Sequence, residues 1–134
     1  MPDHQPAVAF FDSTYEEALS LACELRDHIA AKGGQDRPAP EEYHARLHGS
    51  CECLRMTARL THVIAWFLVQ KAVHAGELSR EEARESHRRL GGQEVCEPGR
   101  ELDGAELPPP LADLQRRTAD IYARVARLDA MMNA

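Results

Sequence analysis

Three side chains in the middle of the chain have the spacing of a metal site. His44, His48 and Cys51 stand at i, i+4 and i+7, with Cys53 close by, and a helix would bring the first three to one face. Imidazole and thiolate are zinc ligands. The paired CxxC arrangement of a structural zinc site is absent, however, and a plainer account covers the same residues. The histidines belong to a polar half-helix, and Cys51 falls on a thin apolar stripe with Tyr43, Leu47 and Leu54. The expectation is no metal, with His44, His48 and Cys51 as the candidates to check.

Other groups that resemble catalytic constellations also have structural readings. The acid pairs Glu16-Glu17, Glu41-Glu42 and Glu81-Glu82 each fall where a helix should begin, and the helix dipole favours negative charge there. His62 and His74 flank an apolar run and read as partly buried, hydrogen-bonded side chains rather than titrating switches. Trp66 and Phe67 could wall a ligand pocket, but the charged groups expected beside a bound small molecule are lacking, so they read as core or interface. Gly33-Gly34 and Gly91-Gly92 follow helical patterns rather than strands and read as stops, not phosphate cradles. No nucleophile elbow or zinc-protease motif is present. These residues predict a protein without enzymatic activity or cofactor.

The elements that carry these residues are helical. The chain has 134 residues, 43% hydrophobic and 28% charged, with a net charge of −6. That is one domain with a core of its own. The acidic balance argues against nucleic-acid binding, which needs a basic face. The longest apolar run, Val63 to Val69, is too short to span a bilayer. With no basic, apolar leader at Met1-Pro2-Asp3-His4, the chain reads as cytoplasmic and its four cysteines as reduced.

A first helix is predicted to begin near Asp12. Ser13/Glu16 and Thr14/Glu17 have capping-box spacing, and Gly33-Gly34 marks the end. A second runs from about Glu41 to Ala75 and is apolar nearly all round in its second half, with Gly49 as a point where it could bend. Leu78, Ser79 and Glu82 announce a short third helix reaching about Leu90. Residues 91–110 read as an acidic loop rich in proline and glycine; with the helix before them, residues 77–110 hold nine acids and five bases. The last helix starts at Leu111. Leu111, Leu114, Thr118, Ile121, Val125, Leu128 and Met132 form a seam of alternating three- and four-residue steps. The fold expected is a single all-α domain over residues 1–134. It is an antiparallel three-helix bundle with one additional short helix. The surplus apolar circumference of residues 60–73 implies either a central position in the bundle or burial in a subunit interface, and Leu60, Ile64, Trp66, Phe67 and Lys71 are the candidates for a dimer or partner contact.

Two stretches carry a family likeness. One is Ala9-Phe10-Phe11-Asp12-Ser13-Thr14-Tyr15-Glu16-Glu17-Ala18-Leu19. The other runs from Leu54 to Val73, including Thr61-His62-Val63-Ile64-Ala65-Trp66-Phe67, and continues into Gly76-Glu77-Leu78-Ser79. Both resemble the alphaproteobacterial family of the regulator of CtrA degradation (RcdA), a DUF1465-type family. The likeness covers roughly residues 9–90 and, more loosely, the final helix. It implies a homodimeric three-helix bundle. It also implies an adaptor that docks on the ClpX unfoldase of the ClpXP protease and helps deliver cell-cycle regulators for degradation, together with CpdR-type and PopA-type regulators. Such relatives can carry a tail beyond the last helix that contributes to cargo contacts, whereas these residues end at Ala134. That departure implies a shorter homologue or altered cargo delivery. Two rivals follow from the residues alone: a ligand or metal sensor on the His44–Cys51 face or beside Trp66, and a transcription-linked helical regulator.

Overall fold

The computed structural model describes residues 4–32, 39–96 and 107–133, with side chains over 11–31, 39–96 and 107–133. Three long helices form the body: α1 (His4–Lys32), α2 (Tyr43–His74) and, last in the chain, Pro109–Met132. Between the second and the last lie two single-turn helices, α3 (Arg80–Ala83) and α4 (Gln93–Cys96), so the last is α5. Short 3-10 turns occupy Pro40–Glu42 and Ser86–Arg88. There is no strand among the described residues. The all-helical expectation therefore holds.

α1 starts two turns earlier than the capping signals predicted. Ser13, Glu16, Thr14 and Glu17 lie within the helix instead of at its start. The missed signal was Pro6, which falls in the first turn, where its absent N–H costs nothing. The predicted stop at Gly33-Gly34 lies outside the described residues. α2 begins at Tyr43, after a 3-10 turn opened by Pro40, and passes through Gly49 without a break. A Cβ at Gly49 would lie 3.7 Å from the Leu111 side chain, so this position marks a close approach of α2 to α5 rather than a bend.

The helix directions correct the expected topology. Phe11 and Tyr15 near the start of α1 meet Trp66 and Phe67 near the end of α2, so these two helices are antiparallel. α5, in contrast, runs alongside α2 in the same direction. Gly49 lies by Leu111, Glu52 bonds Gln115 at 2.9 Å, Arg59 reaches Thr118, and Trp66 bonds Asp129 at 3.0 Å. The bundle is therefore not antiparallel throughout. The reason is the connection, which does not turn straight back into a helix. Gly76, at φ 80°, ends α2, and Ser79 and Glu82 close the predicted capping box with reciprocal 3.0 Å bonds. The helix they start ends at Ala83, not Leu90. The chain then returns along α2 as a strap. Gly91 lies by Tyr122, and Val95 and Cys96 lie by Arg55 and Arg59. Within the 91–110 loop, residues 91–96 pack against the helices. Leu90 and Cys96 are buried anchors, while residues 97–106 lie outside the described set. Gly92 sits at φ 76°, and a Cβ there would come within 2.4 Å of the His62 ring. Only glycine lets the strap lie down on that histidine.

The core forms where the three long helices meet. Ala18, Leu21 and Leu25 of α1 meet Met56, Leu60, Val63 and Phe67 of α2 and Leu111, Leu114, Ile121 and Val125 of α5, all buried. The predicted α5 seam holds through Val125, then weakens: Leu128 is half-buried, Met132 is exposed, and Asp129 goes inside instead.

Candidate protein-docking face

Its central place in the bundle makes α2 the helix that decides what the molecule shows to others. Three of its sides are covered by its own chain. Toward α1, the Phe11 ring meets Trp66 edge-on at 5.8 Å and Tyr15 meets Phe67 at 6.0 Å. Toward α5 and the strap, α2 presents polar arms. Arg59 is fully buried; its Nε donates to the Cys96 carbonyl at 2.9 Å and its Nη1 reaches the Gln115 carbonyl and Thr118 Oγ1. Glu52, equally buried, accepts from Gln115 Nε2 and from Arg55 Nε at 3.3 Å. Arg55 also donates to the Val95 carbonyl, and the Tyr122 hydroxyl donates to the Gly91 carbonyl at 2.8 Å. Trp66 Nε1 donates to Asp129, whose second oxygen takes Arg89 at 3.0 Å. Buried charges are tolerable when partnered in this way. Burial pushes the Cys96 thiol above its ordinary value, with the nearby Arg59 and Arg55 charges pulling the other way. Cys96 is thus a packing group rather than a nucleophile.

These contacts correct the predicted interface. Leu60, Trp66 and Phe67 are 3%, 2% and 0% exposed and belong to the subunit's own core. Phe11 and Tyr15 of α1 cover this part of α2. Ile64 is half-buried at the surface. Lys71 is exposed, 2.9 Å from Asp12 and 4.7 Å above the Tyr15 ring, and the Asp12 carboxylate raises its pKa. The metal candidates diverge: His44 is exposed, His48 buried and Cys51 half-buried. Among the described residues, no three His, Cys, Asp or Glu side chains gather to hold an ion. His62 packs under Gly91 and Gly92. Trp66 is packed among aromatic rings and lines neither of the two surface grooves described.

The fourth side of α2 is left uncovered by the described residues. From Leu47 to Leu68 its exposed residues are Leu47, Ser50, Leu54, Thr57, Thr61, Ala65 and Leu68, and none of them is charged. Their steps of three and four keep them within one narrow stripe. Leu47, Leu54 and Leu68 are 65%, 71% and 52% exposed. Even the two threonines present little polarity. The Thr57 hydroxyl donates to the Cys53 carbonyl and the Thr61 hydroxyl to the Thr57 carbonyl, both at 2.8 Å, so their hydrogens are used within the helix. Beside the stripe a groove of about 420 Å³ separates α2 from α1. It is lined by Ala22, Leu25, Ile29 and Ala30 on one side and by Thr57, Thr61 and Ile64 on the other. The exposed faces of α1 and α5 differ in kind. They carry charges that pair between the helices, Glu24 with Arg117 at 2.6 Å and Glu17 with Arg124 at 2.7 Å. This uncharged stripe is a candidate surface for contact with another protein. The sequence pattern already held Tyr43, Leu47 and Leu54, but nothing in it showed which side of α2 the neighbours would leave open.

No helix among the described residues is long and apolar enough to cross a membrane. A family described as a protein of unknown function, DUF1465, matches residues 3–134. No curated protein matches the chain. No solved structure matches it either.

Proposed function

This chain belongs to the DUF1465 family, and from the resemblance of its residues to the RcdA family we propose that it is a non-enzymatic adaptor of regulated proteolysis. In this reading it works in the cytoplasm as a homodimer and brings cell-cycle regulatory proteins to the ClpXP protease. Its partners are ClpX, CpdR-type and PopA-type regulators, and the cargo itself. The specific assignment rests on the resemblance of residues 9–90 to the RcdA family. The observation that carries it furthest is the uncharged stripe on α2, a surface suited to contact with protein and bare of groups that do chemistry. Such an adaptor adds no chemical step; it raises the local concentration of cargo at the protease.

The test is reconstitution. Degradation of candidate cell-cycle cargo by ClpXP, with the CpdR-type and PopA-type regulators present, is measured with and without this protein, alongside pull-downs on ClpX. A rise in the degradation rate that depends on this chain is the expected result. Unchanged rates for every cargo, with no capture by ClpX or the regulators, would sink the proposal.

A further inference from the structure

The uncharged stripe has an internal symmetry that points to its occupant. Leu47 and Leu68, Ser50 and Ala65, and Leu54 and Thr61 are each equidistant from the point between Thr57 and Ala58. When two identical helices meet antiparallel about a two-fold axis at that point, each residue faces its counterpart in the other copy. The end leucines then meet each other, the small Ser50 and Ala65 meet, and each Leu54 covers a Thr61 methyl group. We infer that this face is occupied by a second copy of the chain, α2 against α2, antiparallel, with the axis at Thr57–Ala58. The inference rests on the homodimer reading above and names the surface and register that reading leaves open.

Charge favours this direction. The 3-10 turn leading into α2 carries Glu41 and Glu42, and its last turn carries Lys71 and His74. Antiparallel pairing brings the Glu41–Glu42 turn that precedes one helix toward the Lys71 and His74 end of the other and opposes the two helix dipoles. Parallel pairing would stack like charges at both ends. Each subunit carries a formal charge of −6, so two copies approach most easily through a face that adds no charge of its own. The spacing of the stripe suits shallow helix–helix crossing, as in bundles.

Area sets how strong the contact is. The stripe is about 31 Å long at 1.5 Å per residue. At roughly 10 Å across it offers on the order of 300 Å², short of the ~800 Å² per partner of a standard interface. The α1 wall of the groove, with Ala22, Ile29 and Ala30, must therefore take part. The contact falls at the small end of specific interfaces, and the dimer dissociates on dilution.

The experiment measures mass in solution by sedimentation over a concentration series, using the full chain and three variants: Leu54→Glu, Thr61→Lys and the two combined. Both positions are exposed, and circular dichroism checks that the fold is kept. The wild type should dimerise and each single variant should weaken the dimer at least ~10-fold, because a lone charge at the contact loses its water. The combined variant should regain most of the loss, because the antiparallel register sets each introduced carboxylate against an introduced ammonium. Oxidation of Thr57→Cys, beside the axis, should give disulfide-linked pairs beyond the wild-type background without any new charge.

The outcomes separate the two ideas. A wild type monomeric throughout overturns the homodimer reading and this inference together. A dimer indifferent to Leu54→Glu and to the Thr57→Cys cross-link leaves the homodimer standing and removes α2 as its contact. Loss in the single variants without recovery in the combined one overturns the antiparallel register.

Discussion

The two sides of α2 are built from different residue types and behave in opposite ways. On the inner side, large groups reach out and are answered. Trp66 finds Asp129, Arg59 finds the Cys96 carbonyl, and Glu52 finds Gln115. On the outer side the residues answer only to their own helix, as Thr57 and Thr61 do, or to nothing in the subunit, as Leu54 does at 71% exposed. Hydrophobicity alone does not separate the two, since leucine occurs on both, Leu60 inside and Leu47, Leu54 and Leu68 outside. What separates them is whether a neighbouring element was placed to cover them. On the inner side α1, α5 and the strap do so.

Several measurements can break that contrast. The largest effect belongs to Trp66→Ala, which empties the aromatic cluster and strips Asp129 of its indole partner. A loss of about 4 kcal/mol in urea unfolding is expected. Arg59→Ala comes next, at about 3 kcal/mol, since it leaves buried acceptors on the strap and on α5 without their donor. Gly92→Ala should cost about 2 kcal/mol, because the new methyl meets His62 and the backbone angle disfavours any Cβ. Hydrogen exchange should then rise most at residues 90–96. If these changes prove as mild as a surface substitution, the inner side is not held as described.

The charged pair between α1 and α5 sharpens the contrast with a smaller effect. Hydrogen bonding to Arg117 holds the Glu24 carboxyl below its usual 4.5, against a lesser opposing effect of burial. A lowered folded value means the contribution is fully present above the unfolded value and fades as pH falls through the folded one. Stability measured from pH 6 down through the carboxylate range should therefore fall less steeply in Glu24→Gln than in wild type. The difference is small because both groups are substantially exposed. Smallest of all, Leu54→Ala should leave urea stability within about 0.5 kcal/mol when measured at dilutions where the chain is monomeric. A larger loss would mean that the outer side is covered within the subunit after all.

Much of the helical content was legible in the sequence. The α5 seam from Leu111 to Val125 and the Ser79–Glu82 capping box depend on local spacing, and both appear as expected. The start of α1 was misplaced because capping signals at Ser13 and Thr14 also fit the interior of a helix. The direction of α5 was not legible at all. Nothing local distinguishes a chain that turns back at once from one that first lays a strap along its neighbour. The buried arms Glu52 and Arg59 are not legible because charged residues are usually solvated, and only partners distant along the chain, Gln115 for Glu52 and the Cys96 carbonyl for Arg59, give them reason to be inside. Apolarity alone marks Trp66 and Phe67 as interface candidates, whereas the fold buries both within the subunit.

The parallel course of α2 and α5 also bears on how the chain reaches this state. Bundles whose successive helices fold back on each other can assemble from contacts close together along the chain, and they form quickly. Here Trp66 must find Asp129 across 63 positions and Glu24 must find Arg117 across 93. Loops of that length must close before the last helix has anything to rest on. Refolding should accordingly be slower than for a helical hairpin bundle of equal length, and until α5 arrives the inner side of α2 stands as open to strangers as the outer one.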